Sequence, residues 1–252
     1  MFKRTMFVIT LLCAAVSVAQ STFAGEVSVA VATNFTDAAR GLAPLFEKAT
    51  GHTARISFGS TGKLYTQIEN GAPFELFLAA DSRRPQKAES EGLAVPGSRF
   101  TYAMGKLVLW SAKSAAWSDV ESYLKRGSFA HLAIANPKTA PYGLAAEQVM
   151  QGLGVWQALQ PRIAQGDSIA QTFQFVATGN AEAGFVAASQ VKAWKGDAGT
   201  VWDIPQALYA PIEQQALLLK KGENNSAAKA FLKFLQSETA RTVITGYGYG
   251  VQ

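Results

Sequence analysis

The chain has 252 residues, 23 basic against 18 acidic, with a formal charge of +5. Its one cysteine, Cys13, argues against a disulfide scaffold, and its scattered basic residues argue against a nucleic-acid partner. Two histidines without a metal-ligand cluster make a catalytic triad or a zinc centre hard to build.

Lys3 and Arg4 open the chain, Met6 to Val18 is almost continuously apolar, and Thr22-Phe23-Ala24 ends on a small residue. This pattern predicts a secretory signal peptide over residues 1–24. The apolar core is shorter than the roughly 20 residues a membrane span needs. Leu12, not a small residue, precedes Cys13, so no lipid anchor is expected. Cleavage would leave 21 basic against 18 acidic residues, in a chain long enough for one large domain or two modest ones.

The exported part opens with a buried-strand run, Val27 to Ala32, followed by Thr33-Asn34-Phe35-Thr36-Asp37. Thr36 or Asp37 is placed to cap a helix with Ala38, Leu42, Leu45 and Phe46 on its apolar face, ended by Thr50-Gly51. A second strand, Ala54 to Phe58, leads into Gly59-Ser60-Thr61-Gly62 and a helix from Lys63 to Asn70. Phe74 to Ala80 reads as a third strand, with Asp81-Ser82 capping the next helix. Three strand–turn–helix units predict an α/β fold with a parallel, doubly wound sheet.

Tyr102 to Trp110 reads as a long extended crossing interrupted by Gly105, and a second series follows. It comprises a helix over 117–126, a strand His131 to Ala135, a helix opened by Pro141-Tyr142-Gly143, and a short strand near Arg162 to Gln165. Gly166-Asp167-Ser168-Ile169 then opens another helix, and Gly184 to Ala188 forms a strand. Pro211 to Leu219 is the expected return strand, Asn225-Ser226 caps a last helix, and Gly246 to Gly250 is a turn-rich tail. One early crossing and one late return predict two lobes, residues 25–104 with 211–252 and residues 105–210, each a mainly parallel sheet flanked by helices.

Ligands of such sheets sit beyond the C-terminal strand ends. Thr33-Asn34, Ser60-Thr61, Tyr142 and Ser168-Ile169 all occupy such ends, two groups from each lobe. Hydroxyls, amides and the free N–H groups of helix starts are neutral donors, and together they suit an anion in the cleft. Singly, Asn34, Ser60, Thr61 and Ser168 are also good helix caps. Ser60 is not in a G-x-S-x-G elbow, because Phe58 holds the first glycine position, which weakens the rival reading of a secreted hydrolase.

Ala32-Thr33-Asn34-Phe35, Ser57 to Gly62 and above all Gln67 to Asp81 resemble the periplasmic molybdate-binding proteins of ABC importers. Gly105 to Ser111, Asn136-Pro137, Pro141-Tyr142-Gly143 and Gly184-Phe185-Val186 extend the likeness over essentially the whole exported chain. The resemblance implies a type II periplasmic binding fold, a clamp that takes molybdate or tungstate between its lobes without catalysis or a cofactor. It implies a periplasmic monomer that delivers its oxyanion to an inner-membrane permease. It places ligand contacts at Asn34 beside Thr33, at Thr61 beside Ser60, and at the main-chain N–H groups of Tyr142 and Ile169. Where many members carry a tyrosine near the end of the Gly184 strand this chain has Ala187, and the Tyr142 hydroxyl is expected in its place. Molybdate is a dianion with no proton to donate, so a donor-only site suits it. Sulfate or phosphate is the alternative ligand, phosphate being partly protonated and sulfate smaller.

Overall fold

The computed structural model describes residues 24–251, so the expected signal peptide, apart from Ala24, lies outside the described residues. The strands in chain order are β1 (Glu26–Ala32), β2 (Thr53–Gly59), β3 (Leu76–Leu78), β4 (Phe100–Gly105), β5 (Leu107–Ser111), β6 (Leu132–Ala135), β7 (Ile163–Gly166), β8 (Ala183–Ala187), β9 (Thr200–Asp203) and β10 (Ile212–Leu218). The helices are α1 (Thr36–Thr50), α2 (Thr61–Glu69), α3 (Arg83–Ser90), α4 (Val120–Arg126), α5 (Pro141–Gly152), α6 (Trp156–Leu159), α7 (Ile169–Ala177), α8 (Ala188–Ala193), α9 (Ser226–Phe234) and α10 (Glu238–Gly246).

The strands form two five-stranded sheets, ordered β2-β1-β3-β10-β4 and β7-β6-β8-β5-β9. In each sheet four strands point one way. The fifth, β10 or β5, runs against them and pairs antiparallel on both sides. That strand is the one arriving from the other sheet, either from β4 through Lys106 or from β9 through the turn before Ile212. The sheets are therefore mixed, with the parallel part confined to β2-β1-β3 and β7-β6-β8.

Apolar patterning explains the layers. Val27, Val29, Ala30 and Val31 in β1 are wholly buried, as a central strand covered on both faces must be. On one face lie Leu42 and Phe46 of α1 with Phe231 and Phe234 of α9. On the other lie Leu64 and Ile68 of α2 with Ala88 of α3. The second sheet is covered by α5, whose Ala146, Val149 and Met150 are fully buried, and by α7 through Phe173 and Val176.

Local chemistry shifts several expected boundaries. The third strand is shorter than 74–80 because Ala80 turns its N–H to the Thr61 hydroxyl at 3.1 Å. The helix expected from Trp117 begins at Val120, where the Asp119 carboxylate accepts the Ser122 N–H. Thr36 does not cap α1; its hydroxyl donates to the Thr33 carbonyl at 2.8 Å, closing a 3-10 turn over Thr33–Phe35. Gly51, at φ 73°, ends α1 in the left-handed conformation glycine adopts freely. The tail holds a further helix, α10, capped by the Ser237 hydroxyl, before Gly250 folds back to bridge Met104.

Candidate functional site

Ser60, Thr61, Tyr142 and Ile169 lie at helix starts, and Thr33 and Asn34 lie in the 3-10 turn that follows β1. Each group follows the C-terminal end of a strand, β1, β2, β6 or β7. The structure brings all six together around one small cavity between the sheets, completed by Ala32, Ala80, Ala140 and Pro141. Its volume is about 10 Å³, the room of about one water, so a larger occupant requires the lining groups to part.

Ser60 holds the cap position of α2, yet its hydroxyl caps nothing; it is buried and unpaired. The Thr61 hydroxyl accepts the Ala80 N–H, so its own proton is free to be donated. The Thr33 hydroxyl is likewise buried without a partner. Ser168, by contrast, is an ordinary cap, accepting the Gln171 N–H at 3.3 Å. That leaves Ile169 to present the first N–H of α7, which has no acceptor within the helix. Pro141 opens α5 without an N–H, so Tyr142 supplies that helix's first donor.

Tyr142 is 1% exposed and its hydroxyl is unpaired. Burial, then the neighbouring phenols of Tyr249, Tyr102 and Tyr209, push its pKa well above the ordinary value, so it stays a protonated donor. The Asn34 carboxamide lies beside that phenol, but its N–H groups go elsewhere: to Gln214 Oε1 at 2.7 Å and to the Tyr249 hydroxyl at 3.1 Å. Tyr249 in turn donates to the Asn34 carbonyl at 2.6 Å and contacts Ser189 Oγ at 2.9 Å. Tyr102 donates to Gln214 Oε1 at 3.3 Å. Asn34 thus anchors a buried polar brace behind the cavity.

Tyr249, Gln214, Tyr102 and Ser189 were not legible as site residues. The available signals were two glutamines beside Glu213 in a largely apolar return strand and a tyrosine repeated between glycines in the tail. Neither pattern specifies a partner.

Among the described residues, no Asp, Glu, Lys or Arg lines this cavity. Beside it, further contacts join the two halves. Gly62 N–H donates to the Thr139 carbonyl at 2.8 Å. Arg84, paired with Asp81, reaches the Lys138 carbonyl at 2.9 Å. Lys63 meets Asp167 at 2.8 Å on the exposed edge. A Cβ on Gly62 would lie 2.9 Å from Thr139 Cα and 2.9 Å from the Arg84 guanidinium, so this approach needs glycine.

The sequence profile of the family described as bacterial extracellular solute-binding protein matches residues 27–250. The chain is 56% identical to the molybdate-binding protein ModA of Azotobacter vinelandii over 230 residues, 91% of each chain. It is 55% identical to ModA of Rhodobacter capsulatus, over 90% of this chain and 88% of that one. Its structure is similar to the periplasmic molybdate-binding protein of Azotobacter vinelandii, with a TM-score of 0.85 and 42% identity, over 90% of this chain and 99% of that one.

Proposed function

The chain belongs to the bacterial extracellular solute-binding proteins, and within that family we propose that it captures molybdate, and tungstate with it, for an ABC importer. It works in the periplasm as a monomer, reached through the cleaved leader, and hands the ion to a permease in the inner membrane. It performs no catalysis and needs no cofactor.

The observation that carries this reading is the set of buried hydroxyls at Thr33, Ser60 and Tyr142 left without partners around one cavity. Leaving such groups unpaired costs about 1–3 kcal/mol each, a cost that an acceptor-only ligand removes. Thr33, Ser60, Thr61 and Tyr142 donate through hydroxyls. Tyr142 and Ile169 add main-chain N–H groups whose helix starts favour negative charge. Asn34 contributes its main chain and holds Thr33 in place, its side-chain N–H groups being engaged behind the site. The lobes comprise residues 25–104 with 211–252 and residues 105–210, and the ion is gripped from both.

The likeness to ModA over nine-tenths of the chain favours molybdate over the other tetrahedral anions. A thermal-shift series tests it. Molybdate and tungstate should raise the melting temperature, with about 2.7 kcal/mol added at 100 times the dissociation constant, while sulfate and phosphate do not. No shift with millimolar molybdate, or a larger one with sulfate, refutes the assignment.

A further inference from the structure

Gly105 ends β4, directly before the chain crosses between the sheets. Its φ is not in the left-handed region, so its backbone would accept any residue. Space is what forbids one. A Cβ there would lie deep inside the contact distance of the Tyr142 hydroxyl, 2.9 Å from Gln214 Nε2 and 3.0 Å from Ile212 Cγ2. The missing side chain is therefore the seat into which the Tyr142 hydroxyl fits.

Tyr142 and Gln214 are 1% and 0% exposed, and Tyr142 OH and Gln214 Nε2 are both buried without partners. The Tyr142 ring packs within the core cluster of the second sheet. Close-packed interiors leave a displaced ring no other room. Tyr142 lines the small cavity described above. A methyl group at residue 105 would thus drive the hydroxyl forward into that cavity by about 1 Å, to restore ordinary contact distances.

We propose that Gly105 is a specificity-determining residue: by holding the Tyr142 hydroxyl back, it sets the depth of the cavity and admits the larger tetrahedral oxyanions. The inference rests on the oxyanion reading above. It assigns size selection to a residue with no side chain to touch the ligand.

Titration calorimetry with sodium molybdate and sodium sulfate tests it on wild type, Gly105→Ala, Tyr142→Phe and the double variant. In Gly105→Ala, molybdate affinity should fall at least tenfold and sulfate affinity less, so that discrimination narrows. Adding Tyr142→Phe removes the clashing oxygen, and the double variant should recover to within threefold of Tyr142→Phe alone. A Gly105→Ala protein with unchanged discrimination overturns the proposal. So does a double variant that binds far more weakly than Tyr142→Phe, an outcome readable even if Gly105→Ala alone fails to fold. Wild-type protein that ignores molybdate would instead remove the oxyanion reading itself.

Discussion

Replacing Gly62 by alanine separates closure of the clamp from the donors inside it. The added methyl would stand 2.9 Å from Thr139 Cα and 3.0 Å from its carbonyl oxygen, against an optimum near 3.5–4.0 Å. The two halves must then part by about 0.5–1 Å. That stretches the Gly62 N–H bond to Thr139 from 2.8 Å beyond useful length and pulls Arg84 from the Lys138 carbonyl. A neutral hydrogen bond contributes about 1 kcal/mol net and one from a charged donor about 1.5–3 kcal/mol. The exposed Lys63–Asp167 pair adds little. The closed, ligand-bound state should lose about 2–4 kcal/mol, or roughly 30- to 1000-fold in Kd. Calorimetric titration with molybdate and a stopped-flow dissociation rate read the effect, which should fall mainly on dissociation. Affinity within threefold of wild type would refute the claim that this approach of the two halves is needed for tight binding.

Thr61→Ala removes a hydroxyl that accepts the Ala80 N–H and has its own proton to give; calorimetry should show molybdate affinity reduced by roughly 1–3 kcal/mol, and no change would reduce Thr61 to a helix-start residue. The buried phenols of Tyr142, Tyr102 and Tyr249 all have pKa values raised above the ordinary 10.0, chiefly by burial. A group with a raised folded-state pKa contributes stability that is complete below its unfolded pKa and lost as pH rises through the folded one. The contribution of these phenols to the melting temperature should therefore be constant from pH 7 to 9 and fall above about pH 10. The fall should be shallower in Tyr142→Phe, and an identical slope there would show that this phenol is not desolvated in solution.

Much of the architecture could be read from alternating short apolar runs and capped helices, because each unit is local. Gly51 ended α1 and Asn225 capped α9 as their chemistry dictates. The two crossings were legible too, from Gly105 within an extended run and from the late apolar return strand. Less legible was which single hydroxyls serve only as caps. Ser60 and Ser168 look alike in sequence, both small polar residues at a helix start, yet only Ser168 spends its oxygen on a cap. The difference lies in which distant segments the fold brings near, and no local rule contains it. Gln214 and Tyr249 were hidden for the same reason, since they meet Asn34 from 180 and 215 residues away.

The interleaved strand order has a consequence for how the chain acquires its structure. β10 lies between β3 and β4 in the first sheet, and β4 pairs within that sheet with β10 alone. β5 to β9 form an unbroken stretch that supplies every strand of the second sheet. During synthesis, therefore, the first-made third of the protein cannot complete its sheet until residues 212–218 have emerged, while the middle third can assemble by itself. Closing so long a loop is entropically slow. Were the chain exported as proposed, that delay would keep its leading segment incomplete, and so threadable, until nearly all of it has been made.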